Sequence, residues 1–251
     1  MDFKHVAILG AMPEEIGEII NQIQDKKEIF YGDLKVIQGT WNDVERKNKI
    51  LISVAWSGWG KVSSARAATR IISSINLGKK VDILIFTGVA GAVSNTLRQW
   101  DIVIASKLIQ YDIDARPFFE KFVIPAISKD HISIDDKLLK WTHSSLQNSK
   151  GKDLNLRDFG SINIGKVATG DKFISDREYL EEIKLQIPNL LAIEMEGAAV
   201  AQVAYQEKVP CVILRTISDS ADEEAATSFD IFLKKYKLRS WLLIECLLKN
   251  L

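Results

Sequence analysis

Residues Val6 to Glu15 read Val-Ala-Ile-Leu-Gly-Ala-Met-Pro-Glu-Glu, four consecutive apolar residues, a glycine, and then a proline followed by two acids. The apolar run is short and has no polar face, as expected of a strand buried between two layers. Pro13 suits the opening turn of a helix, where its missing N–H leaves no gap, and Glu14 and Glu15 sit where the helix dipole favours negative charge. A buried strand that feeds a helix through a glycine is the unit of an α/β layer structure.

The rest of the chain repeats that alternation. Strands are expected at Val6–Leu9, Leu34–Trp41, Ile50–Trp56, Val81–Thr87, Asp101–Ser106, Ile162–Ala168, Leu190–Met195 and Cys211–Ile217. Helices are expected at Pro13–Gln24, Lys61–Ile75, Asp135–Gln147, Ser175–Ile187, Gly197–Glu207 and Phe229–Leu248. Many of the strands are apolar on both faces and should lie under helices on both sides. The stretch Asp112–Asp130, with Pro117, Phe118, Phe119, Phe122 and Pro125, has little periodicity and reads as a long loop, which in a compact domain is usually functional or an interface. Asn42–Lys49 is polar and reads as a solvated hairpin turn.

The 251 residues suffice for one large core, and no Pro-rich, Gly/Ser-rich or like-charge linker divides them, so a single domain over 1–251 is expected. Thirty-three basic residues balance thirty-three acidic ones, which leaves no field for a nucleic-acid backbone or an anionic membrane and points to a small-molecule partner. Cys211 and Cys246 have no companions at metal-ligand spacing and read as thiols in a reducing compartment. The first apolar stretch is too short for a signal h-region, and no run approaches the roughly 20 apolar residues of a membrane span. A cytoplasmic location is expected.

Ligands of open α/β sheets bind beyond the carboxyl ends of the strands. Five such junctions carry unusual residues: Gly10 to Glu15 with Met12; Ser57-Gly58-Trp59-Gly60-Lys61; Thr87-Gly88-Val89-Ala90-Gly91; Ala192-Ile193-Glu194-Met195-Glu196-Gly197; and Ser218-Asp219-Ser220-Ala221-Asp222. Each has a plain reading. Glu14 and Glu15 serve a dipole, Gly88 and Gly91 permit a strand-to-helix turn, and Asp219 caps a helix. The pair Glu194 and Glu196 resists this treatment, because two carboxylates at the end of a buried strand are costly unless paired, hydrogen-bonded or protonated.

The junctions occur together and in one order, joined by Ala-Thr-Gly-Asp-Lys-Phe-Ile ending at Ile174 and by Arg215-Thr-Ile-Ser-Asp. In that order they resemble the signature blocks of the 5′-methylthioadenosine/S-adenosylhomocysteine nucleosidases, within the wider purine nucleoside phosphorylase family. The resemblance runs from Val6 to about Phe232. It implies a three-layer αβα sandwich around a central twisted mixed sheet, of nucleoside phosphorylase type. It also implies an N-glycosyl hydrolase with no metal or organic cofactor. By the same resemblance Glu15 would activate the attacking water, Glu196 would accept the sugar hydroxyls beside Met195, and Asp219 would be the acid that protonates the leaving adenine at N7. Phe173 and Ile174 would hold the base. Met12, Trp59, Val89, Ala90, Gly91, Glu194, Ser218, Ala221 and Phe229 would complete the substrate pocket, with Arg215 supporting the loop beneath.

The chemistry agrees with that division of labour. An oxocarbenium-like sugar needs an acid at the leaving group and a base holding water on the other ring face, so two carboxylates must differ in protonation, Asp219 raised by burial and Glu15 ionised. A carboxylate at Glu15 also repels a phosphate dianion, and no Arg or glycine cradle lies beside it, which favours hydrolysis over phosphorolysis.

Three features depart from the family pattern. Val89 replaces a frequent serine and leaves the orientation of Asp219 open, Trp59 stands where a smaller aliphatic residue is expected, and Ala92 replaces a frequent glycine. The resemblance further implies a homodimer in which the loop around Phe118, within Arg116–Phe122, closes the neighbouring site. Rival readings are a futalosine hydrolase, or a nucleoside-binding or surface protein of the same fold without activity.

Overall fold

The computed structural model describes residues 1, 3–43, 48–150, 154–219 and 225–251. In chain order, β1 (His5–Gly10) leads into α1 (Pro13–Gln22), and β2 (Gln24–Tyr31), β3 (Leu34–Asp43) and β4 (Asn48–Trp56) precede α2 (Lys61–Ile72). A small hairpin of β5 (Ile75–Asn76) and β6 (Lys79–Lys80) comes before β7 (Ile83–Ala92), β8 (Ile102–Gln110) and β9 (Ile132–Ser133). Then follow α3 (Asp136–Lys150), β10 (Ile162–Thr169), α4 (Arg177–Gln186), β11 (Leu190–Glu194), α5 (Gly197–Gln206), β12 (Cys211–Asp219), α6 (Ala225–Tyr236) and α7 (Ser240–Leu248).

The main sheet runs β11-β10-β8-β12-β7-β1-β4-β3-β2, with β9 on β8. It is mixed, because β1 is parallel to β4 and β7, while β12 is parallel to β7 and antiparallel to β8. α1 packs with α6 and α7, and α7 with α3, whereas α2 packs with α5, so two separate groups of helices cover the sheet. This is the expected layered α/β architecture. Strands β1 and β7 are buried along nearly their whole length, as their unbroken apolar runs require.

One feature goes beyond an open sheet. The far end of β7 also pairs antiparallel with β11, so that β7, β12, β8, β10 and β11 close into a ring. Gly91 consequently lies opposite Asp219 on one side and Ile193 on the other. Three strand ends that are distant in sequence therefore meet at one point.

Several expectations are corrected. The first helix stops at Gln22 because Ile23 is extended and Gln24 opens β2, a strand the sequence reading missed. β2 is the polar outer edge of the sheet, so it carries no apolar alternation to read. The fourth expected strand, Val81–Thr87, does not turn into a helix at Gly88. It continues as strand to Ala92, held by β12 and then β11. The last helix is two, broken at Lys237–Arg239, where no glycine or proline marks the break. Residues 112–130 form the expected long loop, with one isolated bridge between Ile124 and Lys129. The expected hairpin is present in the pairs Asn42 with Lys49 and Asp43 with Asn48, and its tip, 44–47, lies outside the described residues. Among the described residues no helix is long and apolar enough to cross a membrane.

Candidate active site

Glu15 owes its position to the first turn of α1. Its carboxylate folds back to accept from the amides of Ala11 (2.5 Å) and Met12 (3.0 Å), a helix-start contact, and its other oxygen accepts from the Val89 amide at 3.0 Å. Three N–H donors aimed at one carboxyl favour its ionised form. Burial works the other way and raises the Glu15 pKa, with Arg215 and the three amides opposing it, which makes a stronger base of the carboxylate they hold. Gly88 has no side chain for a steric reason: a Cβ there would overlap the Glu15 carboxylate.

Glu194 and Glu196 leave β11 for different partners. Glu194 accepts from Arg215 (Nη2 at 2.8 Å), from the amides of Glu196 (3.0 Å) and Gly197 (2.7 Å), and from the Thr169 hydroxyl. It thus holds the start of α5 and is occupied by protein donors. Burial lowers the charge preference of Arg215, but the pull of Glu194, Glu15 and Glu196 outweighs it and holds the guanidinium charged. Glu196 accepts from the Gly60 amide at 2.8 Å, and it faces the cleft. Burial first, and then the Glu194 charge, push its carboxyl up to about 8, with the Gly60 amide working against them.

Asp219 is the last residue of β12, and the segment that follows it, 220–224, lies outside the described residues. The Ser218 hydroxyl lies 2.6 Å from its Oδ2 and 3.2 Å from the Ala90 carbonyl, while Gln99 Nε2 fixes the Ser218 carbonyl at 2.7 Å. With Val89 in place of a serine, the hydroxyl beside the acid thus comes from Ser218, and Val89 serves Glu15 through its amide.

These groups converge on a cleft enclosing about 570 Å³, open mouth included, which is the size range of small-ligand sites. Met12, Glu15, Trp59, Val89, Ala90, Gly91, Phe173, Ile174, Glu194, Met195, Glu196, Ser218, Asp219 and Phe229 all line it. Phe229 meets Phe173 edge-on at 6.0 Å and Trp59 edge-on at 6.3 Å, giving the mouth an aromatic wall. Arg215 is not on the surface of the cleft but behind Glu194, 2% exposed and stacked 4.1 Å from the Phe86 ring. Phe118 is 88% exposed and does not line the cleft. Ala221 lies outside the described residues. Ala11, Lys172 and Ile193 line the cleft and were not singled out by sequence; Ala11 and Ile193 sit inside the quoted junctions, which was the available signal.

The model of the Phosphorylase superfamily matches residues 5–248. The chain belongs to this superfamily. Among its curated relatives, a 5′-methylthioadenosine/S-adenosylhomocysteine nucleosidase of Staphylococcus epidermidis is 33% identical over 98% of this chain and 100% of its own, and one of Bacillus velezensis is 31% identical over 98% and 99%. Among solved structures, the nucleosidase of that name from Neisseria meningitidis, in complex with methylthio-immucillin-A, superposes with a TM-score of 0.87 at 30% identity, covering 99% of this chain and 100% of that one. The futalosine hydrolase of Helicobacter pylori is similar at TM-score 0.84 and 32% identity, over 99% and 98%. For a phosphorylase-superfamily chain, the resemblance drawn from the signature blocks is therefore borne out over nearly the full length.

Proposed function

We propose that this chain hydrolyses the N-glycosidic bond of 5′-methylthioadenosine and S-adenosylhomocysteine, with 5′-deoxyadenosine as a further substrate, and releases adenine. The observation that carries this reading is the convergence of Glu15, Glu196 and Asp219 on one cleft with an aromatic wall. Such a reaction serves methionine salvage and the removal of S-adenosylmethionine by-products. One catalytic domain over 1–251 and a cytoplasmic location fit the reading, and the two buried cysteines suit a reducing compartment.

In this mechanism the C1′–N9 bond breaks and its electron pair goes to the base, while Asp219 gives a proton to N7 so that adenine leaves neutral. Water adds to C1′ from the other face and loses its proton to Glu15. Glu196 accepts hydrogen bonds from the sugar hydroxyls. The Glu15 carboxylate, held by three amide donors, offers negative charge where the sugar cation develops, a preorganised stabilisation typically worth about 3 kcal/mol. Phe173 and Phe229 lie against the base and the mouth, and Ile174 contributes backbone.

Hydrolysis is favoured over phosphorolysis because the water position faces a carboxylate. The Arg215 side chain near it is committed to Glu194, and the ammonium of the exposed Lys172 lies 3.9 Å over the Tyr179 ring. Purified chain incubated with methylthioadenosine in phosphate-free buffer is expected to release adenine and methylthioribose at the rate seen with phosphate. Strict phosphate dependence overturns the reading, and release of base only from futalosine replaces the substrate.

The 88% exposure of Phe118 supports a homodimer in which this loop covers the partner's cleft. Sedimentation is expected to give a dimer, and Phe118→Ser is expected to raise KM for methylthioadenosine several-fold with kcat little changed, as for lost uniform binding. A monomer of full activity at assay concentration removes the shared site.

A further inference from the structure

Lys61 opens α2, at the end of a helix where the dipole disfavours a cation, and no acidic residue of its own first turn offsets it. Its side chain is 19% exposed, and it does not line the cleft. Its partners come from two other segments. The ammonium lies 2.6 Å from Asp112 Oδ1, and Asp112 Oδ2 accepts from the Asp171 amide at 3.0 Å. Asp171 Oδ1 in turn accepts from the Lys61 amide at 2.7 Å. The three contacts close a ring across the start of α2, the loop after β8 and the loop after β10.

Each segment of that ring carries part of the site. One residue before Lys61, the Gly60 amide holds Glu196; Gly60 has φ +90, and a Cβ on it would come within 3.0 Å of Asp171 Oδ1. Two residues after Asp171 come Phe173 and then Ile174 on the cleft wall, and the Tyr111 hydroxyl, beside Asp112, donates to the Lys172 carbonyl at 3.3 Å. Asp112 also begins the loop that carries Phe118.

We infer that Lys61 is a positioning residue, whose ammonium clamps the Asp112 and Asp171 loops to the start of α2 and so fixes both the Gly60 grip on Glu196 and the Phe173–Ile174 wall. The inference rests on the proposed nucleosidase reading. Without the ammonium, two carboxylates are left facing each other in a half-buried spot, and the loops part. The Gly60 amide is also a group that holds the Glu196 pKa down, so a loosened Gly60 lets it climb.

The test uses the full chain with Lys61→Met, Lys61→Arg and Asp112→Asn. In Lys61→Met the adenine dissociation constant by calorimetry is expected to rise about tenfold, and kcat/KM for methylthioadenosine to fall roughly 10- to 100-fold, the scale of a small misplacement away from the chemistry. The midpoint of thermal unfolding is expected to stay within about 3 °C, since a partly exposed ion pair contributes little to stability. The limb of the kcat/KM pH profile set by Glu196 is expected to move to higher pH, and Lys61→Arg is expected to recover most of the activity. Should Lys61→Met fail to fold, Asp112→Asn, which keeps the lysine and removes the charge it grips, is expected to show the same losses. Wild-type kinetics, adenine affinity and pH profile in a folded Lys61→Met or Asp112→Asn overturn the clamp. A wild-type chain that releases no adenine refutes the nucleosidase reading instead.

Discussion

Asp219→Asn is expected to lower kcat for adenine release by about 10²- to 10⁴-fold, the usual contribution of a general acid, while adenine still binds. The amide keeps the shape of the side chain and its place at the end of β12 opposite Gly91, and it still meets the Ser218 hydroxyl. What it lacks is a proton acidic enough to pass to N7 as the glycosidic bond breaks. The base must then depart as an anion, and the lost stabilisation is confined to the transition state. Single-turnover adenine release, compared with calorimetric binding of adenine, separates the two quantities. A variant that keeps more than a tenth of the wild-type kcat would refute the role of Asp219 as acid.

Arg215→Met is expected to destabilise the fold by about 3–5 kcal/mol, the cost of removing one partner of a buried ion pair. In a chain of this size that corresponds to a fall of roughly 10 °C in the unfolding midpoint. Arg215 is 2% exposed, and its guanidinium donates to Glu194 through both Nη2 (2.8 Å) and Nε (3.3 Å). Its loss strands a buried carboxylate next to Glu15 and Glu196, which both lean on the same cation. Activity is expected to fall too, because Glu194 holds the turn that delivers Glu196. Replacing both partners, Arg215→Met with Glu194→Met, is expected to recover most of the stability and none of the activity. Denaturant unfolding of the single variant within about 1 kcal/mol of wild type would show that the pair is not what holds this part of the core.

The strands β1, β4, β7 and β12 and the helices α1, α2 and α5 were legible because each carries an unbroken apolar run or an apolar stripe with a punctuating residue at its end. β2 was not, since an edge strand with Asp25, Lys26, Lys27 and Glu28 has no period that distinguishes it from a loop. Asp219 was legible as unusual, but its place opposite Gly91 at the end of β12 was not, because that pairing joins segments far apart in sequence. Lys61 stood inside a quoted block without a role, because Asp112 and Asp171, which explain it, are 51 and 110 residues away.

By itself the sequence determined the layered α/β order, the strand ends that bear carboxylates and the family that combines them, because these are local patterns of polarity and residue type. Only the tertiary structure decided which carboxyls share the cleft and which groups each of them is bound to. Closure of β7 onto β11 brings Gly91, Ile193 and Asp219 together, Gly88 makes room for the Glu15 carboxylate, and Arg215 engages Glu194 from behind the cleft wall while Glu196 is held by the Gly60 amide. Burial and charge pairing depend on neighbours in space, and in this chain those neighbours come from segments far apart in sequence.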